Sequence, residues 1–179
     1  MKTQIITNTI LSLTGSCLAT FMTSAFLAKK FDMEHLLNAT ISGGVIIGAP
    51  AGILYNPGAA LLIGFIGGII STLGFEYLSP YLKEKFGLYD TCGVNNLHGI
   101  PGMLGGIISA ICCAVYIYPS SLDAFTLTSV EFPYLTTLLS TPYKQGGLQI
   151  AGTFTSAGIG IVTGLVSGCI IRQFYSFRE

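Results

Sequence analysis

The chain has 179 residues, of which 51% are apolar and only 9% are charged, and its formal net charge is zero. Soluble domains carry about 25% charged residues, and nucleic-acid-binding proteins carry clustered basic residues. The composition therefore favours a protein embedded in a lipid bilayer and excludes nucleic acid from its expected partners.

Long stretches with almost no charged side chains run through the chain. A membrane-spanning helix needs about 20 apolar residues, because the hydrocarbon core is ~30 Å thick and an α-helix rises ~1.5 Å per residue. We therefore predict an all-α, polytopic transmembrane helical bundle with five spans, at approximately residues 3–28, 36–56, 58–78, 91–118 and 146–171. The first span is too long for a signal peptide, and Lys29 and Lys30 follow it rather than precede it, so we expect it to remain as a helix.

Polar residues mark the start of the second span, in the segment DMEHLLNAT (residues 32–40). Asp32 lies where the helix begins, which fits an N-cap, the commoner role, or the vestibule of a path. Asn38 falls about one turn inside the span and needs a partner there, so it either bonds to another helix or lines such a path. His35 is expected at the membrane interface.

The fourth span carries His98 roughly 12 Å from its start, near the middle of the bilayer. A charged side chain in hydrocarbon is costly, so we expect a neutral imidazole that offers one donor and one acceptor to a small polar permeant. The alternative is a histidine bonded to a neighbouring helix. Pro101 has no N–H and so deprives the Leu97 carbonyl, next to His98, of its helical donor; a simple packing kink is the alternative. Asp90 precedes the span and fits an N-cap or a vestibule.

The last span follows a segment rich in proline, serine and threonine, which predicts an extracellular loop at residues 119–145. Within the span, Gly160, Gly164 and Gly168 have a spacing that lets helices approach closely in lipid. We expect a plasma-membrane protein with its N-terminus outside and its C-terminus in the cytoplasm, because basic residues concentrate on the cytoplasmic side. Six of the eight basic residues then lie inside, namely Lys29, Lys30, Lys83, Lys85, Arg172 and Arg178.

Enzymatic chemistry has little support in the sequence. We find no nucleophile–base set, no zinc-ligand spacing and no carboxylate pair within a span, so we expect no catalytic residues, no metal site and no cofactor. The five cysteines lie inside or at the ends of the spans. Their expected role is that of small apolar packing residues.

Two segments resemble the signature of a known family. DTCGVNNLHGIPGMLGGI (residues 90–107) and DMEHLLNATISGGVIIG (residues 32–48) are similar to the Rh glycoprotein branch of the ammonium transporter (Amt/Rh) superfamily. The sequence between them, and QGGLQIAGTFTSAGIGIVTGLVSGCIIR (residues 145–172), follow in family order. The resemblance implies a channel for ammonia or ammonium, with carbon dioxide as a further candidate permeant, and assembly as a homotrimer with one pore per subunit.

The same resemblance assigns a place to His98. In this family, two inverted repeats each supply one of two facing histidines near the middle of the pore, and His98 matches the second. The five predicted spans correspond to about the second half of the family fold, so the first histidine, the phenylalanine gate and the outer recruitment site have no counterpart in the chain. We expect the chain to be a fragment of such a protein, so that alone it is an incomplete pore; the other interpretation is a half-protein that assembles with a complementary half. The alternative is a non-conducting structural or regulatory membrane subunit.

Overall fold

The computed structural model of the protein describes residues 2–116 and 142–175, and every regular element in these two ranges is a helix. The α-helices are α1 (Lys2–Ala28), α2 (Met33–Ala39), α3 (Ser42–Ile47), α4 (Pro57–Leu73), α5 (Ser79–Phe86), α6 (Ile100–Tyr116) and α7 (Pro142–Tyr175). The π-helix π1 (Gly74–Leu78) joins α4 to α5, and a second, π2 (Asn95–Gly99), leads into α6. The predicted loop at residues 119–145 falls largely outside the described ranges.

Four helical segments of the described residues are long and apolar enough to cross a membrane, at Lys2–Leu27, Pro57–Phe86, Asn95–Val115 and Lys144–Phe174. They correspond in order to the first, third, fourth and fifth predicted spans. Helix α1 packs along α4, and α6 packs along α7. The predicted all-α architecture of long apolar helices is confirmed.

The second predicted span, residues 36–56, is not a continuous helix. It is divided between α2 and α3, and turns follow α3 up to residue 53. The break between α2 and α3 falls at Thr40 and Ile41. The turns after α3 contain Gly48, a weak helix former, and Pro50, which cannot donate a backbone hydrogen bond. A break at this depth exposes backbone groups that lipid cannot satisfy, so other parts of the protein must bond to them.

A stripe of polar side chains on α1 meets this requirement. Its members recur every four residues, which places them on one face of the helix, and each is at most 2% exposed. The stripe consists of Asn8, Ser12, Ser16, Thr20 and Ser24. These five polar side chains are thus directed into the protein rather than toward lipid.

Three of these side chains donate hydrogen bonds to carbonyls of the broken segment. The Asn8 Nδ2 donates to the carbonyls of residues 51 and 54, each at 2.8 Å. The Ser12 hydroxyl donates to the Gly43 carbonyl at 2.6 Å, and the Ser16 hydroxyl donates to the Ala39 carbonyl at 2.7 Å. Four carbonyls of the broken segment are therefore satisfied by side chains of α1, as a membrane interior requires.

Glycines allow α1 and α4 to approach each other closely. A Cβ atom added to Gly68 would lie 2.5 Å from the Ser16 carbonyl oxygen, and one added to Gly64 would collide with the Ser12 carbonyl oxygen. In contrast, a Cβ added to any of the last-span glycines at 160, 164 and 168 would have nothing within 4 Å among the described residues. Close packing through glycine therefore occurs between α1 and α4, whereas Gly160, Gly164 and Gly168 of α7 make no such contact with the described residues.

Candidate functional site

His98 lies in the wide turn π2, immediately before the first turn of α6. The Ile100 N–H donates to the Asn95 carbonyl five residues earlier, which is the π-helical pattern. Because Pro101 has no N–H, an α-helical ladder cannot continue through it, and a π-turn is one way for a spanning helix to absorb the loss. The predicted disturbance of the helix beside His98 thus takes the form of a π-turn, a feature frequent at functional sites.

Asp90 caps the start of this segment with both carboxylate oxygens. Its Oδ1 accepts from the Val94 N–H at 2.8 Å and its Oδ2 accepts from the Asn95 N–H at 3.0 Å. Gly93, which lies between Asp90 and Val94 in the chain, has φ +63°, a left-handed conformation that favours glycine. The carboxylate therefore satisfies backbone donors that a helix start leaves without an intrahelical acceptor, which is the capping role predicted for Asp90.

A cavity of about 1180 Å³ lies beside α6. One side of it is formed by π2 and the first half of α6, and the other side by α7. Its wall is mainly apolar side chains and glycine. The polar side chains that line it are Asn95, His98, Gln149, Thr153 and Ser156. The His98 side chain is exposed in the described structure, so its imidazole is available to a molecule in this cavity.

The chemistry of this wall suits a small neutral solute. A neutral imidazole supplies one N–H donor and one lone pair, and it can exchange these roles by passing a proton. The Thr153 hydroxyl donates to the Gln149 carbonyl at 2.8 Å within its own helix and keeps lone pairs that can accept. An ion would lose most of its hydration among the apolar groups, at a large cost in free energy.

The other predicted site residues occupy different places. Leu97 and Pro101 are buried and are not among the described residues that line the cavity. Asn38 is half-buried on α2, also away from that lining. Asp32 caps α2, since its Oδ1 accepts from the Glu34 N–H at 2.9 Å. Only His98 of the six predicted site residues lines the cavity, and Asp90 bonds to the backbone of two residues that line it.

Sequence reasoning missed a buried polar cluster around His35. We expected this residue at the membrane interface, but it is 5% exposed. Its Nδ1 lies 3.2 Å from the Ser24 Oγ, and its Nε2 lies 3.6 Å from a carboxylate oxygen of Glu76 in π1. No local signal in the sequence indicates this cluster, because its members come from three separate segments of the chain.

Comparison with known proteins identifies the family. Residues 1–178 match the model of the Ammonium Transporter Family. The chain is 42% identical over 169 residues to ammonium transporter Rh type C of Xenopus tropicalis. This alignment covers 92% of the chain and 36% of the Xenopus protein. It is 40% identical over 172 residues to ammonium transporter Rh type C of Homo sapiens, covering 92% of this chain and 35% of that protein.

The chain is also similar to a solved structure of Rh50 from Nitrosomonas europaea, a member of the Rhesus protein family of channels. The TM-score is 0.59 and the sequence identity is 37%. The match covers 86% of this chain and 38% of that one. The chain thus spans about a third of the length of the curated relatives it matches. With its long apolar helices, it is an integral membrane protein that belongs to the Rh branch of the ammonium transporter family.

Proposed function

We propose that this chain forms one wall of a channel that conducts ammonia or ammonium across a membrane. The observation that carries the proposal is the exposed imidazole of His98 on the wall of a cavity otherwise lined mainly by apolar side chains and glycine. Because the chain spans only about a third of its relatives' length, a complementary segment completes the pore. That segment supplies the second histidine that the family resemblance implies.

The permeating species is the neutral molecule in this proposal. Moving an ammonium ion from water into a cavity with an apolar wall costs hydration free energy. A hydrogen bond to one imidazole offsets only a small part of that cost. Ammonia, in contrast, needs one acceptor for its N–H groups and one donor for its lone pair, and the imidazole has both. The protein carries out no covalent reaction, so its role is that of a channel rather than an enzyme.

Two carboxylates at the helix starts offset part of the repulsion that nearby lysines exert on an approaching ammonium ion, before the ion gives its proton to water. Asp32 and Asp90 lie at the end of the bundle where α1 ends and π2 begins. Both carboxylates already accept backbone hydrogen bonds, so their charge acts over distance rather than by direct binding. We place this end on the cytoplasmic side of the plasma membrane, since Lys29, Lys30 and Lys83 lie near it. Assembly as a homotrimer completes the proposal.

A chimera tests this function. The matching segment of the Xenopus tropicalis relative is replaced by this chain, and ammonia entry into proteoliposomes is followed by the change in internal pH after rapid mixing. We expect the chimera to conduct and His98→Ala to lower the flux by about tenfold, since an unsatisfied permeant in the cavity costs about 1–3 kcal/mol. Ile111→Ala is the matched control, because Ile111 is 57% exposed on α6 and lies apart from the described lining.

The possible results separate the hypotheses. Unchanged flux and selectivity in an assembled His98→Ala chimera would overturn the role of His98. A chimera that assembles as a trimer but shows no flux in any variant would favour the non-conducting subunit. Flux of carbon dioxide is measured in the same vesicles by acidification and identifies a second permeant.

A further inference from the structure

Asn96 lies two residues before His98, within the same π-turn, and its side chain is fully buried (0% exposed). Its Nδ2 donates a hydrogen bond to the Ser79 Oγ at 2.6 Å. Ser79 is the residue that follows π1. This bond therefore ties the turn that carries His98 to the other π-turn of the protein.

Gly74, at the opposite end of π1, is packed against the same side chain. A Cβ atom added to Gly74 would lie 2.6 Å from the Asn96 Oδ1, 2.8 Å from its Cγ and 3.2 Å from its Cβ. The Oδ1, Cγ and Cβ atoms of Asn96 thus pack against Gly74, where a larger residue would leave no room for them. Gly74 begins π1 and Ser79 follows its end. The Asn96 side chain therefore contacts both ends of π1.

A further contact joins the two turns beside Asn96. A Cβ added to Gly93 would collide with the ring of Phe75, the second residue of π1. On the other side, the Asn95 Nδ2 lies 3.4 Å from the Asn96 Oδ1, and Asn95 lines the cavity together with His98. The buried contacts of Asn96 are therefore connected to the cavity wall.

We propose that Asn96 is a positioning residue that fixes the direction of the His98 side chain, with Gly74 and Ser79 as the groups that hold it. This rests on the proposed function of His98 in permeation. A π-turn contains one residue more than the α-helical turn it replaces. A shift between the two registers rotates the following side chains by about 100°, one residue of an α-helix. Asn96 selects the register because its amide fits between Gly74 and Ser79 in only one of them.

The test reads His98 directly, in the purified chain in lipid nanodiscs with ¹⁵N-labelled histidine. The chain has two histidines, and His35 contacts π1 through Glu76, so it reports any disturbance of π1 itself. We expect Asn96→Ala and Gly74→Ala to shift or split the His98 imidazole resonances more than those of His35. The same variants in the chimera lower ammonia flux by about tenfold, the factor by which losing one buried hydrogen bond shifts a two-state equilibrium. Gly147→Ala is the matched control, since none of the described residues lies within 4 Å of its added Cβ.

A second pair of variants keeps the proposal testable if either substitution prevents folding. Ser79→Ala removes the acceptor alone, and it is expected to shift the His98 resonances less than Asn96→Ala. Asn96→Ser in the Gly74→Ala background shortens the side chain that the new methyl group meets, and it is expected to restore part of the His98 signal and flux.

Two results would overturn the proposal. One is a set of His98 resonances identical to wild type in folded Asn96→Ala and Ser79→Ala chains. The other is a loss of flux with unchanged His98 resonances, which would indicate a role for Asn96 that does not act through His98. A wild-type chimera without flux would refute the proposed function instead, and the resonances would still decide the positioning role.

Discussion

Asn8 provides a test of how this fold holds a broken helix inside a membrane. Its Nδ2 donates to the carbonyls of Ala51 and Leu54, each at 2.8 Å, and the side chain is 2% exposed. Asn8→Ala removes both bonds, but the two carbonyls are affected unequally. The Leu54 carbonyl keeps a second donor, the Gln4 Nε2 at 2.7 Å, whereas the Ala51 carbonyl loses the side chain bonded to it.

These bonds set the size of the expected effect. A side-chain hydrogen bond between helices of a membrane protein is worth about 0.6 kcal/mol on average, whereas a buried polar group left unsatisfied costs about 1–3 kcal/mol. We expect Asn8→Ala to lower the free energy of unfolding by about 2–4 kcal/mol, mainly through the Ala51 carbonyl. Gln4→Ala leaves both carbonyls bonded to Asn8 and is expected to cost at most about 1 kcal/mol.

The assay is unfolding of the purified chain in mixed micelles by increasing sodium dodecyl sulfate, followed by far-ultraviolet circular dichroism. The Leu54 carbonyl loses both of its side-chain donors only in the double variant. The combined loss therefore exceeds the sum of the single losses by about 1 kcal/mol. Equal effects of Asn8→Ala and Gln4→Ala, or strict additivity in the double variant, would refute the idea that α1 stabilises the broken segment through these carbonyls.

Two further predictions use the same unfolding measurement. Gly64→Ala places a methyl group against the Ser12 carbonyl oxygen and is expected to cost about 1–3 kcal/mol. Gly147→Ala, whose added Cβ meets none of the described residues within 4 Å, is expected to stay within about 0.5 kcal/mol of wild type. Similar effects of the two would contradict close packing of α1 on α4. Asp90→Ala removes both capping hydrogen bonds of π2 and is expected to lower the free energy of unfolding by about 1–2 kcal/mol. Asp90→Asn retains one acceptor and is expected to lower it less. An Asp90→Ala chain as stable as wild type would show that these caps are dispensable.

The long spans could be predicted because the length of an apolar stretch is a local property of the sequence. The break in the second segment could not, since residues 36–56 are as apolar as a spanning helix. Their carbonyls are bonded by Asn8, Ser12 and Ser16, which precede them in the chain by 23 to 46 residues. A count of apolar residues does not include such distant donors, so it predicts a continuous helix wherever the composition allows one.

The same distinction separates His98 and Asp90 from His35. The histidine next to a proline and the acid before a helix start are local patterns, and the structure places both at the beginning of the helix that lines the cavity. The burial of His35 depends instead on Ser24 from α1 and Glu76 from π1. Three separate segments must come together before its environment is defined, so its own segment indicates only an interfacial residue.

Polar groups at membrane depth are usually taken as signs of function, and in this protein two kinds can be told apart by what they bond to. The α1 stripe is at most 2% exposed, and Asn8, Ser12 and Ser16 donate to backbone carbonyls of the broken segment, so its role is to stabilise the fold. His98 is exposed to a cavity. Its hydrogen-bonding capacity is therefore available to a molecule in that cavity, whereas that of the stripe is already used. A substitution in the stripe should alter stability before flux, and one at His98 should alter flux before stability.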